Sequence, residues 1–87
     1  MTKEELNDII GGNKVTANHI AASKIANITP YAHVNLEIDS STLDYYYSIN
    51  VEELLDSEIT ESVLKEMAEE GWAFDENKDN IIIFLTT

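Results

Sequence analysis

The sequence predicts a small α+β domain: an antiparallel four-stranded sheet built from two hairpins, with helices packed on it in the order ααββαββ. Two observations carry that reading. Apolar residues recur at three- and four-residue spacing over residues 6–28 and 59–68, but at two-residue spacing over 34–49 and 72–85. Turn formers fall at the joints between these stretches, at Gly11-Gly12, Pro30, Ser40-Ser41 and Gly71. The chain is 87 residues long, which suits one domain with a modest core. A neutral helical segment over 1–31 precedes an acidic hairpin–helix–hairpin over 32–87.

Thr2-Lys3-Glu4-Glu5 has the pattern of a capping box, followed by Leu6, Ile9 and Ile10 at helical spacing until Gly11-Gly12. Thr16 is placed to cap a second helix, with Ala17, Ile20, Ala21, Ile25 and Ile28 on one stripe. Pro30 ends it, because the residue before a proline is forced out of the helical region. Val34, Leu36 and Ile38 then alternate with Asn35, Glu37 and Asp39, and Leu43, Tyr45, Tyr47 and Ile49 alternate with Asp44, Tyr46 and Ser48. A turn at Ser40-Ser41 would pair Ile38 with Leu43, Leu36 with Tyr45 and Glu37 with Asp44. Asn50 or Ser57 opens the next helical stretch, a short turn over 51–55 before a main helix over 58–70. Ile59, Val63, Leu64, Met67 and Ala68 give that helix the apolar arc of one lying on a sheet. Gly71 suits a left-handed C-cap. The second hairpin runs over 72–75 and 81–85 around a polar loop. The core expected from these faces holds Val34, Leu36, Ile38, Leu43, Tyr45, Tyr47, Val63, Met67, Trp72 and Phe74.

Charge is distributed unevenly. The formal net charge is -12, yet Lys3, Lys14 and Lys24 balance Glu4, Glu5 and Asp8 in the first 31 residues. All the excess lies between Glu37 and Asp79, where the only cations are Lys65 and Lys78, and the chain has no arginine. Such a field draws basic partners and repels nucleic acid and anionic membrane. The 44% hydrophobic content and regular periodicity argue against a disordered acidic tail. Without cysteine there is no disulfide framework, thiolate zinc site or cysteine nucleophile. No apolar run approaches the ~20 residues that span a bilayer, and no signal pattern opens the chain. A soluble, cytoplasmic protein is the expectation.

Glu37, Asp39 and Asp44 project from the non-core face of the first hairpin, and Glu58, Glu61, Glu66 and Glu69 share the solvent side of the main helix with Lys65. Like charges set across a strand pair destabilise it, so an array without compensation marks a candidate binding surface; the plain alternative is a solvated face. Tyr46 falls among these acids with the makeup of an interface anchor, while Tyr45 and Tyr47 face the core. Ile82 and Phe84 point away from the core, either covered by the N-terminal helices or forming an apolar patch that another chain buries. The loop Asp75-Glu76-Asn77-Lys78-Asp79-Asn80 starts like a calcium loop but lacks its glycine and its terminal glutamate, so it reads as Asn/Asp turn chemistry. His19 and His33 show no ligand spacing, and no phosphate loop, nucleophile elbow or basic-aromatic stripe is present. No cofactor, metal or catalytic residue is expected.

Two readings follow. The first is a non-enzymatic, acidic, nucleic-acid-mimicking inhibitor that occupies a basic groove of a nucleic-acid-binding protein, as anti-restriction, anti-CRISPR and nuclease-immunity proteins do. Glu37, Asp39, Asp44, Glu58, Glu61, Glu66 and Glu69 would stand in for phosphates, with Tyr46 at the centre. The second is a homo-oligomeric structural or assembly subunit joined through Ile82 and Phe84. Helix–glycine–strand patterns such as 61–71 followed by Ile81-Ile82-Ile83 are too common to assign a family.

Overall fold

The computed structural model describes residues 1–15 and 25–85. The expected helix after Thr16 and the residue His19 lie largely or wholly outside that range; within it, Ile25–Asn27 form a single 3₁₀ turn. Helix α1, Lys3–Ile10, begins as its sequence dictates: Thr2 Oγ1 accepts the Glu5 amide at 3.2 Å. Leu6 and Ile10, one turn apart, are fully buried. Asn13 then fastens the end of this segment, its Nδ2 donating to the carbonyls of Ala68 (2.8 Å) and Trp72 (2.9 Å).

Strands β1, Val34–Ile38, and β2, Tyr45–Asn50, form the first hairpin. Asn50 caps helix α2, Val51–Asp56, by accepting the Glu53 amide. Thr60 caps helix α3, Glu61–Glu70, in the same way through the Val63 amide. Gly71 closes α3 at φ 108°, the left-handed conformation its lack of a Cβ allows. Strands β3, Ala73–Phe74, and β4, Asn80–Phe84, complete an antiparallel sheet of order β1-β2-β4-β3. The α+β class is therefore as expected. The main helix, however, starts at Glu61 instead of residue 58, because Thr60 supplies the cap.

Cross-strand partners share a face, and the pairs Ile49↔Ile81 and Tyr47↔Ile83 put three isoleucines on the side of the helices. There they join Leu6, Ile10, Leu54, Leu64, Met67 and Trp72 in the core. Each such fully buried side chain contributes about 1.5–3 kcal/mol of transfer free energy. β4 lies between β2 and β3, with buried Ile81 and Ile83 in the helix-side core and buried Ile82 on the other face.

The first hairpin departs from expectation in register. Leu36 pairs with Tyr47, Ile38 with Tyr45 and Glu37 with Tyr46, so Glu37 does not face Asp44. The turn is longer than Ser40-Ser41: Asp39 N–H donates to the Asp44 carbonyl and Leu43 N–H to the Asp39 carbonyl, both at 2.8 Å. Asp39 Oδ1 also accepts the Ser41 hydroxyl (2.6 Å) and the amides of Ser41 (2.8 Å) and Thr42 (3.2 Å). The slip is two residues, so every side chain keeps its face.

The extent of the core is also corrected. Met67 and Trp72 are buried, and Val34, Tyr47, Val63 and Phe74 pack partly buried against the core. Leu36, Ile38, Leu43 and Tyr45 are instead 58%, 50%, 70% and 49% exposed. A ten-residue helix is only about 15 Å long, and β1 is an edge strand. Cover therefore fades along the hairpin towards its turn.

Candidate functional site

The face of the sheet opposite the helices collects the polar positions of the first hairpin and the second set of apolar positions of β4. The pairs Glu37↔Tyr46, Tyr46↔Phe84 and Ser48↔Ile82 place these residues in adjoining rows. The Tyr46 and Phe84 rings contact each other with centroids 5.1 Å apart and planes tilted by 43°. Phe84 is half-buried, and Ile82 and Ala73 are buried, although neither of the last two belongs to the helix-side core.

Around this floor lies a cleft of about 330 Å³, whose lining includes Glu37, Asp39, Asp75, Glu76, Asn77 and Asn80 as well as Tyr46, Ser48, Ile82 and Phe84. None of the described residues that line it is basic. Interaction with the Glu37 carboxylate first, then burial and the negative charges of Glu37, Asp39 and Asp75, hold the Tyr46 phenol above its ordinary value of 10.0. Asp39 is shifted the other way, below 3.8, by the hydrogen bonds from the Ser41 hydroxyl and the amides of Ser41 and Thr42. One oxygen of Asp39 is thus committed to shaping the turn.

The second hairpin reaches the site through its loop. Asp75 N–H donates to the Asn80 carbonyl (3.0 Å), Lys78 N–H to the Asp75 carbonyl (3.0 Å), and Asp75 Oδ1 accepts the Asn77 amide (3.0 Å). This is the Asn/Asp turn chemistry its sequence predicts. It fixes Asp75 and Glu76 at the rim. Among the described residues, no group of three or more His, Asp or Glu is disposed to hold a metal ion.

The sequence-derived carboxylates separate into two sets. Glu37 and Asp39 meet Tyr46 at the cleft. Asp44 lies exposed across the hairpin turn from Asp39 and does not line the cleft. Glu58 precedes α3, and Glu61, Glu66 and Glu69 are exposed on it, on the helix side of the sheet. Glu61 pairs with Lys65 at 3.1 Å, an exposed i,i+4 contact worth a few tenths of a kcal/mol. His33 is exposed, and its backbone amide donates to Glu53 Oε1. Ile82 is buried within the chain, and half-buried Phe84 contacts Tyr46; both line the cleft.

Asp75, Glu76 and Ser48 are site residues that the sequence reading missed. Their even-strand positions and loop were visible, but only the adjacency of β2 and β4 brings them beside Glu37. A smaller cleft of about 280 Å³, lined among others by Lys3, Val51, Leu55, Lys78 and Asp79, mixes both signs of charge. No helix among the described residues is long and apolar enough to cross a membrane. No protein-family model matches the chain, and neither a curated protein nor a solved structure matches it.

Proposed function

We propose that this protein is a non-enzymatic binding module whose acidic sheet face occupies a basic groove of a nucleic-acid-binding protein, as an inhibitor of the anti-restriction, anti-CRISPR or nuclease-immunity kind. The observation that supports this reading is the grouping of Glu37, Asp39, Asp75 and Glu76 around the Tyr46–Phe84 pair, with no basic residue among the described lining. Charge at the rim steers a cationic partner, and an aromatic centre supplies contact energy. The carboxylates of α3 add to the long-range field without sharing the contact surface.

Asp39 is a poor site for testing the idea, because its side chain builds the turn. The informative change is Glu37→Gln with Glu76→Gln, which removes charge and keeps shape. Capture from lysate at low salt should recover basic proteins that duplex DNA displaces, and the double variant should recover them weakly. Partners that are neutral, or indifferent to the substitutions and to DNA, would rule the mimic out.

A homo-oligomeric assembly subunit is the second reading, and a specific observation favours it: Leu36, Ile38 and Tyr45 are exposed on the first hairpin, whose β1 is a sheet edge. The interface then moves from Ile82 and Phe84 to this strip. Sedimentation at micromolar concentration decides between the readings. A stable dimer abolished by Leu36→Lys would support assembly, and a ~10 kDa monomer would support the free binding module.

A further inference from the structure

The sheet-face cleft contains more than carboxylates. Ser48 is only 5% exposed and lines it. Among the described residues no group bonds its hydroxyl, and no side-chain oxygen sealed in the interior lacks a partner, so the hydroxyl opens to the cleft. There a ligand N–H can reach it with little of the residue otherwise exposed. Beside it stand the tilted Tyr46 and Phe84 rings, and above it the carboxylates of Glu37, Asp75 and Glu76. At about 330 Å³ the cleft falls at the lower end of the roughly 300–1,000 Å³ range of small-ligand sites.

We infer that this cleft is a binding site for an organic cation, a guanidinium or ammonium group on an apolar stem. Each part of the lining meets one part of that ligand. The carboxylates neutralise its charge, the aromatic faces accept the cation and its stem, and the Ser48 Oγ takes an N–H. A planar guanidinium fits best, since it can lie on a ring and still donate at its edge. Among the described lining residues an anion would meet carboxylates and no cation, and a neutral apolar molecule would leave the rim carboxylates desolvated without a partner. The cation can come from an Arg or Lys side chain of a protein or from a free amine. The former deepens the binding-module reading by giving its central contact a chemistry, and rests on that reading; the pocket itself does not.

The test is titration of the ¹⁵N-labelled protein with ethylguanidinium, n-butylammonium, spermidine and the capped peptide Gly-Arg-Gly at physiological salt, with ethylurea as the neutral control. Saturable shifts are expected at the amides of Glu37, Tyr46, Ser48 and Asp75, with ethylguanidinium ahead of n-butylammonium and ethylurea inert. Glu37→Gln with Glu76→Gln should weaken binding at least tenfold, and Ser48→Ala about threefold, with the fold of each variant checked by its own spectrum. Peptide binding assigns the source to a protein side chain; spermidine binding without peptide binding assigns it to a free amine. Shifts equally large at Glu61, Glu66 and Glu69, no saturation, or wild-type affinity in both variants would overturn the inference. If the cations bind but the lysate partners ignore the double variant, the pocket stands and the mimic reading falls.

Discussion

At the scale of single residues, Tyr46 and Gly71 make the most definite commitments. The Tyr46 phenol is raised above 10.0 chiefly by its interaction with the Glu37 carboxylate. A raised folded-state value stabilises the fold fully below the unfolded value and loses that contribution as pH rises through the folded one. The expected outcome is that phenolate absorbance reports Tyr46 ionising at higher pH in the folded than in the unfolded chain, with a loss of stability above pH 10 that Tyr46→Phe abolishes. Glu37→Gln should bring the phenol back towards the ordinary value. Gly71 sits at φ 108°, where a Cβ is strained. Gly71→Ala should therefore cost about 1–2 kcal/mol, read as a lower urea midpoint at unchanged slope. Leu43 lies in the left-handed region too, at φ 62°, and is 70% exposed. Replacing it with glycine removes a strain of about 1–2 kcal/mol against an added entropy cost of roughly 0.5–1 kcal/mol. Leu43→Gly should leave the free domain equally or slightly more stable. A fall of more than about 1 kcal/mol would mean that Leu43 makes apolar contacts the fold depends on.

At the scale of elements, the periodicities were legible and their ends were not. The period-two runs became β1, β2 and β4, and the helical spacings after Thr2 and through Val63, Leu64, Met67 and Ala68 became α1 and α3, because each local pattern needs only its own residues to be recognised; the stripe after Thr16 lies largely outside the described residues. Thr2 and Gly71 marked their termini for the same reason. The register of the first hairpin is not legible in its sequence, because Ser40-Ser41 resembles a two-residue turn, whereas such turns need positive φ and serine does not favour it. Asp39, by accepting three hydrogen bonds, and Leu43, by taking a positive φ, build a longer loop. Exposure of Leu36 and Ile38 was illegible because alternation gives a face, not how far the helices cover it. The cleft was half legible: Glu37 and Tyr46 shared a face in the pattern, but Asp75, Glu76 and Ser48 joined them only through the β2–β4 pairing. The uncovered strip also has a measurable consequence. Leu64→Ala should cost about 2–5 kcal/mol, as for a fully buried leucine. Leu36→Ala should stay within about 0.5 kcal/mol. Comparable losses in both would show that the hairpin strip is buried in solution, as the assembly reading requires.

At the scale of the whole molecule, the net charge of -12 includes two groups of carboxylates on opposite sides of one sheet, Glu37, Asp39, Asp75 and Glu76 at the cleft and Glu61, Glu66 and Glu69 on α3. Self-repulsion of this size should be relieved by screening, whose range contracts from about 30 Å at 0.01 M salt to about 8 Å at 0.15 M. The melting temperature should rise accordingly with sodium chloride, and neutralising either surface should raise it at low salt. The two surfaces should differ, however, once a basic partner is present. A groove that closes on the cleft touches Glu37 and Glu76 but leaves Glu66 and Glu69 on the far side, where they act only through the field. Contact charges chiefly set dissociation, whereas remote charges set encounter. With a partner captured at low salt, Glu37→Gln with Glu76→Gln should speed dissociation at every salt concentration. Glu66→Gln with Glu69→Gln should slow association by a few-fold, an effect that disappears above the screening range. Stopped-flow or surface-based kinetics at two ionic strengths would separate these outcomes. If the α3 pair controlled dissociation instead, the partner would sit on the helices, and the sheet-face cleft would have no part in holding it.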